Sequence, residues 1–368
     1  MLLADFIRSG SARLESLYPS PEARGLVLML CEEKLGVASY THIIEPQTVL
    51  PPEREQELAG DLDRLCHGEP IQYVLGVAEF CGHRFAVGPG VLIPRPETEL
   101  LVAEAVRTLR EMELDRPPRV LDLCTGSGCI AWSIAKEIRD AEIVGLDLSE
   151  TALRYARSQF YGGISPDPPA ASSPFPTLLT QSPGAGRSAD ADIASLHQHP
   201  THPSPAGTSS SSIGTSSSSA DGKESSFADL IGDPSEARDG DRQGGKSPAF
   251  LQADVLDTEQ TFGGGPFDLI VSNPPYVLER ERAQMRPNVL EHEPALALFV
   301  PDDDPLRFYR AIARWAQRFQ RPGGVGLVEI NETLGPETAA VLRDAGFKNI
   351  QIHRDFAQKD RFIRFSVS

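Results

Sequence analysis

Apolar residues in this chain keep three different periods, and each marks a different kind of segment. Over 1–77 the spacing is mainly helical. Residues 22–35 carry Leu26, Leu28, Met29 and Leu30 and run into Gly36, a stop signal. Pro51-Pro52 opens 53–66, where Leu58, Leu62 and Leu65 recur at helical spacing before Gly68. Ile71, Tyr73, Val74 and Leu75 read as core or junction residues. No catalytic group stands out here, so 1–77 is expected to be a small helical domain that holds a partner. Over 78–94 the period changes. Phe80, Phe85, Val87, Val91 and Ile93 are broken by Gly82, Gly88 and Gly90, which predicts a β-hairpin linker.

From 95 to 368 short apolar runs alternate with helical spacing, the mark of a doubly wound α/β sheet. A helix from Thr98 to about Met112 leads into a strand at 119–123. Strands follow at 143–146, 249–254, 267–272 and 325–330, with helices at 130–138, 307–319 and 336–345. A terminal pair of strands, 349–353 and 361–367, closes the chain. Residues 161–248 interrupt this alternation. They are rich in Ser, Pro, Gly, Ala and Asp and are expected to be a disordered low-complexity insert, because they cannot bury enough apolar surface to order themselves. His197, His199 and His202 fall inside it with no Cys or acidic ligand set beside them, so no metal site is expected.

The chemistry is expected at strand ends. The strand at 119–123 runs into Cys124-Thr125-Gly126-Ser127-Gly128 and then a helix. Glycines let the backbone approach a bound group, and a helix start offers free N–H groups. The next strand ends at Asp147, roughly 20 residues on, where an acid can take both hydroxyls of a ribose. The pair points to a nucleoside-containing cofactor; a plain structural turn is the alternative. Gly126-x-Gly128-x-x-Ala131 also fits the loose dinucleotide fingerprint, so a nicotinamide enzyme is a competing reading. Asp122 disfavours it, because a charge just before the loop opposes a pyrophosphate. Asp122 either organises the loop or faces a cationic ligand such as a sulfonium. Asp254, at another strand end, either accepts an adenine amine or caps a loop. Arg95 is either a linker anchor or a charged site group, and the anchor is favoured.

The strand at 267–272 delivers Asn273-Pro274-Pro275-Tyr276. Two prolines end the strand, since neither has an amide donor. Asn273 is thus expected on a stiff loop at the carboxyl edge of the sheet, where such folds bind ligands. An Asn side-chain oxygen and the Pro274 carbonyl together can accept both N–H bonds of a planar NH2 group, with Pro275 and Tyr276 walling it.

Totals narrow the classes. The 368 residues suffice for two domains, and a formal net charge of -17 disfavours non-specific binding of DNA or RNA. The five cysteines form neither a disulfide framework nor a CxxC cluster, as in a reducing compartment. No apolar stretch approaches membrane-spanning length. Residues 1–25 hold Arg8, Arg13 and Arg24 among apolar residues, but no signal-peptide core.

The motifs together resemble the protein release-factor glutamine methyltransferase family. The marks are Gly76 before Phe80, Val91-Leu92-Ile93-Pro94-Arg95-Pro96-Glu97-Thr98-Glu99, 120–128, Gly145-Leu146-Asp147-Leu148-Ser149, 268–276, and Glu293-Pro294-Ala295-Leu296-Ala297-Leu298. The likeness covers nearly everything outside 161–248. Asn-Pro-Pro-Tyr alone is shared with DNA adenine methyltransferases, so a DNA or RNA adenine-N6 methyltransferase is the alternative. The resemblance implies a Rossmann-like, seven-stranded class I methyltransferase domain behind a helical N-terminal domain. It implies S-adenosyl-L-methionine as cofactor, bound by residues 124–128 and Asp147 with Asp254 near its adenine. Asn273 and the Pro274 carbonyl would hold the glutamine of a Gly-Gly-Gln loop in a peptide-chain release factor. No direct nucleic-acid contact, no membrane, and a monomer are expected. The chain departs from the family pattern at Cys124, where glycine is usual, at Gln159-Phe160, and at Glu329-Ile330-Asn331-Glu332. The helical domain and serine-rich insert lean toward a eukaryotic mitochondrial member, with the cytoplasm as the alternative.

Overall fold

The computed structural model describes residues 1–160, 163–164, 245–260 and 264–367. Most of the insert, 161–162 and 165–244, with its three histidines, lies outside the described residues. Ordered chain does reach into both ends of 161–248. Gly163–Ile164 pairs back on Gln159–Phe160, and the Lys246 amide donates to the Arg139 carbonyl at 2.8 Å.

Five helices come first: α1 (Leu3–Leu14), α2 (Ser20–Leu35), α3 (Thr41–Ile44), α4 (Pro52–Cys66) and α5 (Ile71–Leu75). A proline in the first turn of α2 and of α4 costs no hydrogen bond there. Gly36 ends α2 in the left-handed conformation, with φ of 67°, and returns its N–H to the Glu32 carbonyl at 2.9 Å. Leu3, Phe6, Ile7 and Leu14 of α1 pack with Val27, Leu30, Leu58, Leu62 and Leu65 in one buried cluster. The hairpin follows as β1 (Val77–Phe80) and β2 (His83–Ala86). Its two-residue turn holds Cys81 at φ 51° and Gly82 at φ 71°, the left-handed pair that matches strand twist.

The main sheet is built from β3 (Arg119–Leu123), β4 (Glu142–Asp147), the short β7 (Ala249–Gln252), β8 (Phe267–Ser272), β11 (Gln320–Glu329), β12 (Lys348–Arg354) and β13 (Asp360–Ser366). Here β5 and β6 denote Gln159–Phe160 and Gly163–Ile164, and β9 and β10 denote Val277–Leu278 and Phe299–Val300. The order across the sheet is β12-β13-β11-β8-β3-β4-β7. Pairs from β7 through β11 are parallel, and β13 alone runs against its neighbours. This is the seven-stranded order of class I methyltransferase domains. Helices α6 (Thr98–Glu111), α7 (Cys129–Glu137) and α8 (Glu150–Ser158) border one core cluster. α9 (Pro287–His292) is a short helix; α10 (Arg307–Phe319) and α11 (Gly335–Asp344) cover the opposite cluster.

Parallel strands buried on both faces read as near-continuous apolar runs, which is why β3, β4 and β8 were predictable. β11 starts five residues earlier than the expected 325, because Gln320 pairs with Phe267 before the Pro322-Gly323-Gly324 break shifts the register. At the amino end of β8, buried Asp268 accepts from Arg116, from Arg321 and from the Arg119 amide, all within 2.9 Å. Burial alone would raise its pKa, but these donors outweigh burial and hold it below the usual range. That cluster ties β3, β8 and β11 together at the edge away from the ligand crevice.

Candidate active site

The chain leaves β3 toward β4 and β7 on one side and returns to β8 and β11 on the other. The crevice at the carboxyl ends of β3 and β8 is therefore the topological switch point. A cleft opens there, lined by Cys124 after β3, Gly126, Asp147 ending β4, Asp254 after β7 and Asn273 after β8. Counted out to where it opens to solvent, its space is about 850 Å³. Pro275 lines it too.

The loop after β3 divides its work. Gly126 has φ of 57°, and a Cβ there would meet nothing within 4 Å, so its backbone faces open space. Gly128 has φ of 75°, and a Cβ there would come to 3.0 Å from Ala156 and Phe250, so it serves helix–strand packing. Thr125 and Ser127 are buried and do not line the cleft. The Thr125 hydroxyl donates to Asp122 Oδ2 at 2.5 Å. Asp122 is fully buried, which pushes its pKa up to about 7 against that hydrogen bond. Asp122 thus organises the loop from beneath and is not part of the cleft wall. Cys124 holds φ of 60°, a strained position for a side chain where glycine would be relaxed. Burial, with Asp147 and Asp122 nearby, pushes its thiol well above the usual range, so it stays a neutral wall residue.

Asp147 accepts the Gly126 N–H at Oδ2 and the Ser149 N–H at Oδ1, both at 2.8 Å. Burial raises its pKa, and these backbone donors oppose the rise. Asp254 accepts the Leu256 N–H at 2.9 Å, so it caps its loop while lining the cleft. The charged residues among the cleft's lining are these two acids. That surrounding favours a cationic ligand carrying hydroxyls and an amine over a pyrophosphate. With the open Gly126 backbone, it fits S-adenosylmethionine.

The tetrapeptide also divides. Asn273 is partly buried, and its Nδ2 donates to the Thr98 hydroxyl at 3.1 Å, leaving Oδ1 toward the cleft. Pro274 is buried outside the lining, while Pro275 forms wall. Tyr276 does not line the cleft. Its hydroxyl donates to Glu329 Oε1 at 2.9 Å, and burial lifts its pKa well above the usual range. Tyr276 thus adjoins the wall residue Pro275 without itself lining the cleft. Its hydroxyl is bound to Glu329, and its ring packs on the core cluster behind the cleft.

Sequence reasoning gave no site role to Gly90, Val91 and Leu92 of the linker, nor to Leu148, Pro294, Leu296 and Phe308, all of which line the cleft. The signal for the linker and the 293–298 segment was their motif character alone. Arg95 is an anchor: it donates to buried Glu293 at 2.7 Å, and Glu293 also takes the Ile93 N–H at 3.1 Å. That tie seats both segments over the cleft. Among the described residues there is no cluster of groups able to hold a metal, and no helix long and apolar enough to cross a membrane.

The family model described as the PrmC N-terminal domain matches residues 5–76. A release factor glutamine methyltransferase from Flavobacterium psychrophilum is 28% identical over 364 residues, covering 99% of each chain. A solved protein-(glutamine-N5) methyltransferase (release factor-specific) from Alicyclobacillus acidocaldarius is 22% identical, covering 77% of this chain and 99% of that one, with a TM-score of 0.33. The release factor glutamine methyltransferase of Bacteroides thetaiotaomicron is 33% identical over 350 residues, covering 95% of each chain. On that match, this chain belongs to the release factor glutamine methyltransferase family.

Proposed function

We propose that this chain transfers a methyl group from S-adenosyl-L-methionine to the side-chain amide nitrogen of the glutamine in the Gly-Gly-Gln motif of a peptide-chain release factor. The observation that carries the reading is the Asn273 amide, whose Nδ2 is engaged by Thr98 so that Oδ1 is left as an acceptor at an acid-lined cleft. An amide nitrogen is a poor nucleophile, because its lone pair is shared with the carbonyl. In this reading Asn273 Oδ1 accepts one of its N–H bonds at the cleft and the carbonyl of Pro274, a residue set behind the lining, accepts the other, which fixes its orientation and favours positive charge developing on it. The bound cofactor supplies a methyl group already activated on a sulfonium. Asp147 takes ribose hydroxyls, and Asp254 takes the adenine amine. No side chain needs to act as a strong base, since the nitrogen becomes acidic once it carries the methyl.

The helical N-terminal domain supports the protein substrate in this reading, and the enzyme acts as a monomer. Labelled methyl transfer to a release factor, to the same factor with its motif glutamine replaced, and to DNA tests the whole. Label is expected on the first alone. Transfer to DNA in preference to the factor would establish the adenine reading instead. A mitochondrial location is the finer proposal; it rests on the insert and the helical domain, and the relatives named above are bacterial. Recovery of the protein in the cytosolic fraction of its source cells would remove it.

Excising 165–244 and bridging the gap with a short flexible linker is expected to leave folding and methyl transfer nearly unchanged. The expectation rests on a composition rich in Ser, Pro, Gly, Ala and Asp and on the small general cost of altering the length of a connecting segment. A folded deletion protein that no longer methylates the factor would show that the insert recognises substrate.

A further inference from the structure

Two buried polar residues sit behind the clamp without touching the cleft. Thr98 opens α6 and is 2% exposed; Glu329 closes β11 and is 3% exposed. The strands bring them together, since β11 lies beside β8 and Val328 pairs with Ser272, the residue before Asn273. The Thr98 hydroxyl oxygen accepts from Asn273 Nδ2. Glu329 Oε1 accepts from the Tyr276 hydroxyl, while its buried Oε2 has no partner within full hydrogen-bond geometry. A hydroxyl carries one proton. With its oxygen accepting from Asn273, Thr98 has that proton left to give, and the buried, unpartnered Glu329 Oε2 is an acceptor left to take it.

We propose that Glu329, acting through Thr98, is the positioning residue that decides which end of the Asn273 amide meets the substrate nitrogen. The proposal rests on the glutamine-amide reading above. An ionised Glu329 sets the direction of the chain: Asn273 Nδ2–H gives to Thr98, and Thr98 O–H gives to Glu329. Oδ1 is then left for the substrate N–H. A protonated Glu329 gives its own proton to Thr98, whose hydroxyl then turns toward Asn273. That favours the flipped amide, which presents donors to a donor.

The groups facing Glu329 come from four elements. Burial is the largest influence and pushes its pKa up to about 7, opposed by hydrogen bonding from Thr98 and Tyr276. Glu97, just before α6, raises it further, and Arg361 on β13 lowers it. Tyr309 on α10 also faces it. The methyl-transfer rate is therefore expected to rise with pH through neutrality and to level off once Glu329 is charged. The linkage sign is distinct from that of activity. A carboxyl whose folded pKa is raised favours folding below its unfolded value, and that contribution is lost as pH rises through the folded value. Removing the charge at alkaline pH therefore does not weaken the fold.

The test is single-turnover transfer to a release factor at saturating cofactor, across pH. Glu329→Gln is expected to lose about 10–100-fold in rate, a typical loss for an outer group that orients a reacting one. It also loses the neutral-pH rise, while cofactor affinity and melting temperature hold at pH 8. Thr98→Val shows the same loss, and Thr98→Ser restores the rate. A Glu329→Gln enzyme with the wild-type rate and pH profile overturns the proposal, as does Thr98→Val at the wild-type rate. If Glu329→Gln does not fold, the contrast between Thr98→Val and Thr98→Ser decides. Wild-type enzyme in the same assay scores the glutamine reading separately: its inactivity removes that reading, whereas active variants beside an active wild type remove this one.

Discussion

Asn273→Ala is expected to slow methyl transfer about 10²–10³-fold, or about 2.7–4 kcal/mol, the usual loss when one preorganised partner of a reacting group is removed. Asn273 lies after β8, whereas the cofactor side of the cleft is built mainly from the ends of β3, β4 and β7. Cofactor affinity should then stay nearly intact, and so should docking of a protein substrate whose surface meets the helical domain. The loss falls on the chemical step. Asn273→Asp is the sharper comparison. It keeps size and an acceptor, yet loses the Nδ2 donor that Thr98 holds and adds a charge. It is expected to be impaired as well, with cofactor binding retained. Single-turnover transfer at saturating cofactor isolates the step. A wild-type rate in Asn273→Ala would refute the clamp and leave the family membership standing.

The elements that carry the cofactor side were legible because their signals are local. Val120, Leu121 and Leu123 mark a strand buried on both faces, and the glycines that follow mark the turn. The same holds for Ile143, Val144 and Leu146 before Asp147. What the sequence did not show was the division of labour within each motif. Gly126 and Gly128 look alike in a string of letters, but one faces open space and the other faces Ala156 and Phe250. Those neighbours come from α8 and β7, and β7 arrives only after the insert.

The support behind the clamp was hidden for the same reason. Thr98 read as a helix start, and it is one, since α6 begins there. Its second task, holding Asn273, joins residues 175 positions apart. Tyr276 and Glu329 are 53 positions apart, and their contact depends on β11 settling beside β8. Glu329 was visible only as a departure from a motif pattern. The pairing of Val277–Leu278 with Phe299–Val300, which folds the 293–298 segment over the cleft, left no periodic signal because each strand has two residues.

Asp147→Ala is expected to weaken S-adenosylmethionine binding by roughly 1.5–3 kcal/mol, the range for hydrogen bonds to a charged group. Asp147 ends β4 with its carboxylate at the cleft, and each oxygen already takes one backbone N–H, from Gly126 or from Ser149. Each oxygen keeps a lone pair for a ribose hydroxyl. Part of the loss in the alanine variant comes from the loop, because Gly126 loses its acceptor. Asp147→Asn separates the two contributions, since it retains one acceptor oxygen and removes the charge. Calorimetry on both variants, with melting temperatures alongside, reads the difference. The pH dependence has a definite sign. Burial raises the Asp147 pKa, and ribose hydroxyls donate to its ionised form, so affinity is complete above that pKa and falls as pH drops through it. The fall should begin above the ordinary aspartate value of about 3.9, and it should be absent in Asp147→Asn. NAD is expected not to bind, because the charged residues that line the cleft are two acids and its pyrophosphate is anionic. Equal cofactor affinity in wild type and Asp147→Ala would remove Asp147 from the binding site.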